Sequence, residues 1–312
     1  MGKNFDFRIF WKNYGIIMVF VVFYLVLTFT TDVFFTLNNQ LNILRQAAVL
    51  GLISLGVFTT LKGGNVDLSV GAALGFIGVV CAKVSVIYGT AVALLAALFV
   101  SLLIGLINGF FSTRGKNISI MVTLSMKFIL YSGTLVITRA IPITNLPKSL
   151  IFLGNKNIGP VPMPVIVLII VIIIFWIFFA YTAPGRRISV VGVNSETASF
   201  FGISPKRVQM YTFLISALCA GLAGVVMLGR VSSGQPNAGY GAELDAVGAV
   251  LIGGTSLDGG IGSVRGVMFG VLILGLINNG LNLLGVDPLW RDAVKGAVIL
   301  FAILMDQWER RK

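Results

Sequence analysis

Hydrophobic residues run along this chain in long, nearly unbroken stretches separated by short polar segments. A helix that crosses a bilayer needs about 20 mostly apolar residues. The stretches predict ten membrane-embedded helices, at about 15–35, 42–61, 66–87, 90–111, 118–138, 164–182, 209–230, 243–254, 264–284 and 289–308. Some later stretches are rich in Gly, Ser and Thr, so we expect broken or re-entrant helices among them. The prediction is an all-α polytopic membrane protein with a single transmembrane domain over residues 1–312.

The composition excludes a soluble globular protein and several classes of enzyme. Hydrophobic residues make up 57% of the 312 residues and charged residues only 11%, which is more apolar than a soluble domain. Histidine is absent, which removes histidine-based zinc sites and serine or cysteine triads. We predict no catalytic residue, no metal site and no cofactor bound by this chain. Cys81 and Cys219 fall in apolar stretches and are predicted to be free thiols.

Basic residues are spread between the apolar stretches, so the net charge of +12 does not indicate nucleic-acid binding. Cytoplasmic loops are enriched in Lys and Arg. A cytoplasmic N-terminus places the larger share of the basic residues inside, so both termini and segment 183–208 are predicted to be cytoplasmic. The first stretch lacks a small-residue cleavage site and is expected to be retained. The longest outer segment, 139–163, is rich in proline, which favours an ordered loop or short interfacial helices. It is either a passive connector or a surface for an external partner.

Segment 183–208 is the longest polar interruption in the second half of the chain. Asn194 can cap a short helix because its side-chain oxygen accepts from a free amide one turn later. Glu196 suits the positive end of the helix dipole, and Gly202 can end the helix in a left-handed conformation. The sequence predicts one amphipathic helix of about two turns here. Ser204 and Pro205 then begin the next helix.

The side chains of this segment leave two alternatives open. Its basic residues are Arg186, Arg187, Lys206 and Arg207, and its apolar contacts are predicted at Ala198, Phe200 and Phe201. The segment is either a solvated basic loop that fixes topology or a docking element for a cytosolic partner.

The two halves of the chain resemble each other at an offset of 170 residues. The matched pairs are mostly small or amide residues, among them Gly51/Gly221, Gly71/Gly241, Ala72/Ala242, Gly78/Gly248, Gly105/Gly275 and Asn108/Asn278. Five predicted helices separate the members of each pair, and an odd number reverses the direction of crossing. We therefore predict inverted halves over about 42–138 and 209–308. Inverted repeats are typical of transporters, with the pathway between the halves.

Polar residues inside apolar stretches are the candidates for a translocation pathway, because polar groups in a membrane tend to be functional. The candidates are Asp67, Ser69, Asn108, Thr123, Asp245, Asn278, Asn279 and Asn282. Each also has a structural alternative: Asp67 can cap a helix, and a buried Asn can bond a neighbouring helix. Glu243, like Asp67 and Asp245, stands at the edge of an apolar run. Lys127 is the only clear charge in the middle of a span.

Three transporter or enzyme mechanisms can be compared at this point. No nucleotide-binding loop is present, because Gly115-Lys116 lacks the required glycine spacing; ATP as an energy source requires another chain. An ion-coupled secondary transporter also fits an inverted repeat, but few ionisable residues lie deep in the spans. An intramembrane enzyme is disfavoured by the absence of histidine and of clustered carboxylates.

Four blocks of the sequence resemble the membrane-spanning permease subunits of bacterial ABC importers of the ribose/simple-sugar type. GGNVDLSVGAALG (63–75) is similar to the family's GGIDLSVG block, with an additional residue at Asn65-Val66. Segment 120–147 resembles its V-T-L-G-T block, although Ser125 and Met126 replace Gly-Thr. Segments 185–203 and 229–286 resemble the family's cytoplasmic block and its C-terminal block. The resemblance covers most of the chain.

The resemblance implies a type II ABC importer-like permease in the bacterial plasma membrane. It implies a second permease chain, identical or related, two cytosolic ATPase subunits that bind ATP and magnesium, and an extracytoplasmic sugar-binding protein. It also implies that 194–203 is a coupling helix that docks in a cleft of the ATPase. The implied contact residues are Arg186, Arg187, Asn194, Glu196, Ala198, Phe200, Phe201 and Gly202. The expected function is import of a pentose, a hexose or a sugar-like molecule.

Overall fold

The computed structural model describes residues 7–115, 118–287, 290, 293–297 and 300. Its helices are α1 (Phe7–Thr30), α2 (Leu37–Lys62), α3 (Val70–Ser112), α4 (Ser119–Thr138), α5 (Lys148–Asn155), α6 (Met163–Tyr181), α7 (Ala183–Val193), α8 (Ser195–Phe200), α9 (Pro205–Val231), α10 (Ala242–Ile252) and α11 (Val264–Leu283). Two short strands, β1 (Asn157–Ile158) and β2 (Val161–Pro162), pair antiparallel. The all-α prediction is confirmed, and the span predicted at 289–308 lies largely outside the described residues.

Six helices in the described part of the chain are long and apolar enough to cross a membrane: α2, α3, α4, α6, α9 and α11. Among the other predicted stretches, 15–35 coincides with α1 and 243–254 with α10, and the stretches at 66–87 and 90–111 are the two arms of α3. The chain is therefore a polytopic membrane protein. Helix α10 is shorter than a span, at 11 residues, as expected for a broken helix in the Gly-rich part of the sequence.

Helix α3 turns back on itself at Gly89, so its two arms are the two helices predicted at 66–87 and 90–111. Gly89 has φ of 79° and ψ of 177°, a conformation that an L side chain rarely adopts. Asn108, near the end of the second arm, donates a hydrogen bond of 2.8 Å to Ser69, which precedes the first arm. Gly221 of α9 faces both Ile77 and Ser101, which are equally distant from Gly89. The arms therefore lie side by side as an antiparallel hairpin.

Helix α9 is the centre of the packing and contacts α2, both arms of α3, and α5. It runs antiparallel to α2: Gly63 at the end of α2 faces Thr212, and Gly56 faces Ser216 and Cys219 further along α9. Small residues at these crossings allow the backbones to approach closely, the usual basis of helix association in lipid. The large core cluster contains buried side chains from both elements, together with Cys81 and Cys219, which are free thiols as predicted.

Segment 139–163 contains helix α5 and the β1–β2 hairpin, in agreement with the predicted ordered loop with short helices. Gly154 of α5 packs directly on the backbone of Gly229 and Arg230 in α9. Ile143 pairs with Gly234 in an isolated antiparallel bridge, with hydrogen bonds of 3.0 and 2.8 Å. This segment is therefore attached to the end of α9 by backbone contacts.

The short helix predicted in segment 183–208 is present as α8, but the prediction of only one helix there was incomplete. The structure places two helices there, α7 over Ala183–Val193 and α8 over Ser195–Phe200. The additional helix begins because the Thr182 hydroxyl accepts from the amide of Gly185, at 3.2 Å, and Pro184 stands in its first turn. Arg186 and Arg187 therefore lie on a helix and not in a loop.

Candidate functional site

A buried polar cluster occupies the break between α2 and α3. One carboxylate oxygen of Asp67 accepts from the amide of Ser69 at 2.9 Å and from its hydroxyl at 2.6 Å. The other accepts from the hydroxyl of Ser216 on α9, at 2.8 Å. Asn108 completes the cluster through its bond to Ser69. Ser69 immediately precedes α3 but makes no side-chain capping bond; the Asp67 side chain instead accepts from the amide two residues later, as an N-cap does, in agreement with the structural alternative for Asp67.

Helix α4 also forms hydrogen bonds with the break between α2 and α3. The Thr123 hydroxyl accepts from the amide of Leu68 at 3.1 Å, and the Ser119 hydroxyl accepts from the amide of Val66 at 3.4 Å. The predicted residues Asp67, Ser69, Asn108 and Thr123 are therefore brought together, and Ser216 is a member that the sequence analysis missed. All five are buried within the single chain. Side chains of this cluster accept hydrogen bonds from the backbone amides of Leu68 and Ser69 in the break. Bilayer lipid offers no such acceptors to non-helical backbone.

Lys127 and Glu243 form an ion pair at the next level of α4. Their nearest nitrogen and oxygen atoms are 2.6 Å apart, and the side chains are 26% and 2% exposed. Glu243 lies in the first turn of α10, and its other carboxylate oxygen packs against Gly71 in the first turn of α3. A Cβ at Gly71 would overlap that oxygen and the carbonyl of Gly239. Two helix N-termini and one ammonium group therefore stabilise the buried carboxylate.

Both charges stand out in the sequence, but their pairing was not predicted. A charge at the centre of a spanning helix costs about 2.5–3.5 kcal/mol on insertion scales. Lys127 is the one charged residue of α4, and Glu243 is one of two acidic residues in α10, so opposite charges in two apolar helices were a usable signal for a pair. Because α4 and α10 are far apart in the sequence, the pairing of Lys127 with Glu243 was not apparent.

The remaining pathway candidates do not join this cluster. Asp245 is paired with Lys295 at 3.2 Å. Asn279 exchanges two hydrogen bonds with Asn39 of α2, at 3.1 and 2.8 Å, so it fits the structural alternative of a helix–helix contact. Asn278 is half-buried on α11, and Asn282 is exposed near its end.

Helix α8 has the caps that the sequence predicted. The Asn194 side chain accepts from the amide of Thr197 at 2.9 Å, and Glu196 lies in the first turn. Gly202 has φ of 75° and follows the C-cap Phe201. Pro205 begins α9, with Ser204 at its N-cap position, although the Ser204 side chain makes no capping bond.

The apolar residues of α8 divide into an anchor and an exposed pair. Ala198 is buried against Ile188, Val191 and Val208 of α7 and α9. Phe200 and Phe201 are instead 90% and 78% exposed. Arg186 and Arg187 are also exposed, on the neighbouring helix. We call Phe200, Phe201 and these arginines the docking surface.

A close backbone junction connects this surface to the membrane helices. Gly192, near the end of α7, packs on the carbonyl of Lys62 and the amide of Gly260, where a Cβ would overlap both. The Gly260 amide donates to that Lys62 carbonyl at 2.9 Å, and the Lys62 ammonium donates to the Gly262 carbonyl at 2.8 Å. We call Lys62, Gly192 and Gly260 the glycine junction. It joins α7, the end of α2 and the loop between α10 and α11.

These features define the class of the protein: a polytopic helical membrane protein with broken helices in its interior and one amphipathic helix on its surface, as in transport permeases. The chain belongs to the family described as branched-chain amino acid transport system / permease component, which matches residues 39–303. The family consists of transport components, so the chain is a permease and not an enzyme.

Relatives over nearly the whole chain have names that specify sugars. The ribose import permease protein RbsC of Escherichia coli is 38% identical over 297 residues, covering 94% of this chain and 92% of the relative. The D-allose transport system permease protein AlsC of the same species is 34% identical, with coverage of 98% and 94%. The L-arabinose ABC transporter permease protein AraH of Azospirillum brasilense is 30% identical, with coverage of 96% and 88%. No solved structure matches the chain.

Proposed function

We propose that this chain is the membrane-spanning permease subunit of an ABC importer that carries a simple sugar into the cytoplasm. The observation that carries the proposal is the similarity, over nearly the full length of both chains, to permeases named for ribose, D-allose and L-arabinose. A pentose or a hexose is the substrate class that these names share.

Energy comes from ATP hydrolysis in a separate pair of ABC ATPase subunits, which hold the ATP and magnesium. The docking surface supports this part of the proposal. Phe200 and Phe201 are 90% and 78% exposed on a segment predicted to be cytoplasmic, where lipid does not cover them, and such an apolar surface supports a protein partner. The anchor at Ala198 and the glycine junction attach this surface to the membrane helices, so a force applied to α8 reaches α2 and α10.

The complete importer has a second permease chain, identical or related, and an extracytoplasmic sugar-binding protein that contacts the outer segment 139–163. The basic docking surface faces the cytoplasm, as do both termini. The halves 42–138 and 209–308 are inverted. The antiparallel packing of α2 on α9, and the correspondence of α2 with α9 and of the second arm of α3 with α11 at the 170-residue offset, support inversion.

Transport then follows alternating access. ATP-driven closure of the ATPase pair displaces α8. The glycine junction transmits the displacement to the break between α2 and α3 and to the segment between α9 and α10. The ATPase has to favour one state of the permease by roughly 5.5 kcal/mol to convert a 1:99 population into 99:1.

Replacing Glu196 and Phe200 together by Ala tests the docking surface. We expect the variant to insert normally, because neither residue is buried, but to release the ATPase and to lose uptake of labelled pentoses and hexoses. ATPase retention on the purified permease and uptake by intact cells are the measurements. Phe99→Ala, which removes an exposed ring from α3, is the matched control. Unchanged assembly and uptake would reduce this segment to a topological spacer.

An ion-coupled secondary transporter is the second candidate, because Lys127 and Glu243 place a titratable pair inside the spans. Sugar uptake that follows an imposed ion gradient without ATP, and that is lost in Lys127→Gln, would favour it.

A further inference from the structure

Two tyrosines and an asparagine form a polar patch beside the Lys127–Glu243 pair. Tyr131 lies on α4, one turn after Lys127, and its hydroxyl donates to the side-chain oxygen of Asn237 at 3.2 Å. The ring of Tyr131 is 5.6 Å from the ring of Tyr240, measured between centroids. Asn237 and Tyr240 belong to the segment between α9 and α10, and both are exposed. We call these three residues the tyrosine patch.

The depth of the tyrosine patch argues against an ordinary interfacial position. Tyr131 is seven residues from the end of α4 at Thr138, which is about 10 Å at 1.5 Å per residue. Lys127 is about 16 Å from that end by the same measure. An exposed amide and a partly exposed ammonium group at this depth are unfavourable against hydrocarbon. This side of the molecule therefore faces water or protein and not lipid.

The tyrosine patch also lies where two interruptions of the helices meet: the break between α2 and α3, and the segment between α9 and α10. The break before α3 and the segment before α10 are at corresponding positions of the 170-residue offset. Gly239 has φ of 79° and packs on the backbone of Gly71, so the N-termini of α3 and α10 converge there. Interrupted helices at corresponding positions are the best indicator of a substrate site in a transporter.

We propose that the tyrosine patch lines the path of the transported sugar and contacts it directly. The inference rests on the proposed function and adds to it the residues that meet the substrate. The two rings offer apolar faces to the C–H groups of a monosaccharide, and Asn237 and the Tyr131 hydroxyl exchange hydrogen bonds with its hydroxyl groups. The Lys127–Glu243 pair lies behind the patch and fixes the distance between α4 and α10.

Cysteine labelling tests whether the patch faces water. Tyr240→Cys and Ile129→Cys form a matched pair, because the replaced residues are 73% and 64% exposed, and Ile129 is on the apolar exposed surface of α4 at the depth of Lys127 and Tyr131. Both natural cysteines are buried, so the parent protein is the blank. In the full importer in liposomes, a charged methanethiosulfonate reagent should modify the Tyr240→Cys variant at least about tenfold faster, because only the hydrated thiol ionises. Equal rates for the two variants would overturn the proposal.

Substrate protection tests the contact itself. The binding protein loaded with ribose, D-allose or L-arabinose, whichever the parent takes up, should slow labelling of Tyr240→Cys in the presence of ATP. Labelling that is unchanged while the parent transports the sugar would overturn the contact and leave the proposed function intact. A parent importer that takes up none of the three sugars would instead contradict the proposed substrate class.

A conservative variant provides a readout that does not depend on labelling. Tyr131→Phe keeps the ring and removes the hydroxyl, so the fold is retained. We expect a several-fold lower uptake of sugar with ATPase activity unchanged, and no effect of Tyr88→Phe, an exposed tyrosine beside the turn of α3. Equal uptake by both variants would show that the hydroxyl has no part in transport.

Discussion

At the scale of single residues, the buried carboxylates Asp67 and Glu243 both have polar neighbours, although Oε2 of Glu243 accepts no hydrogen bond from the described residues. Asp67 accepts three hydrogen bonds from Ser69 and Ser216. Glu243 has Lys127 and two helix N-termini around it. Removing one partner of a buried ion pair is strongly destabilising, because the other charge is left buried without compensation.

A double-mutant cycle on the Lys127–Glu243 pair measures this dependence. Glu243→Gln and Lys127→Met should each destabilise the purified permease by up to about 3 kcal/mol, because each leaves the other charge unpaired. The double variant should lose clearly less than the sum of the two. Denaturation in mild detergent is the measurement, with Lys206→Met, an exposed lysine on α9, as the control for loss of charge alone. Additive losses would contradict a direct interaction.

The residues of the buried cluster show what a sequence can and cannot predict. Asp67, Ser69, Asn108 and Thr123 were identifiable because polar residues are rare in apolar stretches. Ser216 was not, because a single serine in a membrane helix is common and its role depends on the packing of α9 against the α2–α3 break. The tyrosine patch was not predicted for the same reason, since Tyr131, Asn237 and Tyr240 come together only when α4 meets the segment before α10.

At the scale of elements, the helices follow from the apolar pattern and their connections follow from glycine. Gly89 converts a continuous helical pattern into a hairpin, and the caps at Asn194 and Gly202 delimit α8. These boundaries were predictable because capping and left-handed backbone are local properties. Helix α7 was not predicted because its charged residues indicated a loop, while its buried face of Gly185, Ile188, Val191 and Gly192 depends on tertiary contacts.

The glycine junction yields a prediction at this scale. Gly192→Ala should impair sugar uptake strongly, because the added Cβ overlaps the Lys62 carbonyl and the Gly260 amide and displaces α7 from both. Gly275→Ala is the matched control: it is also in a helix, but its Cβ would meet only Ala47, at 3.9 Å. We expect that control to be neutral or to stabilise α11 by up to about 1 kcal/mol.

Uptake per folded permease and ATPase retention should both be measured on the two glycine variants. The combination predicted for Gly192→Ala is a retained ATPase with poor uptake, since α8 keeps its exposed residues while its connection to α2 is altered. Normal uptake by this variant would show that the junction does not transmit movement.

At the scale of the whole molecule, three features point to one arrangement. The docking surface is at one end, the glycine junction connects it to the helix breaks, and the tyrosine patch lies beside those breaks. In the proposed mechanism, a separate ATPase binds the docking surface, the glycine junction transmits its movement, and the helix breaks beside the tyrosine patch respond. The two exposed phenylalanines of α8 are the feature that favours a partner ATPase over an ion-driven mechanism in the proposal.

Reconstitution with the cognate ATPase and binding protein in liposomes tests the central claim most directly. Uptake of labelled ribose, D-allose and L-arabinose should be measured with ATP, with a non-hydrolysable analogue, and with an imposed ion gradient alone. The account predicts accumulation of at least one of these sugars only where ATP can be hydrolysed. Accumulation driven by the ion gradient without ATP, or no uptake of any of the three sugars by a complex that hydrolyses ATP, would contradict it.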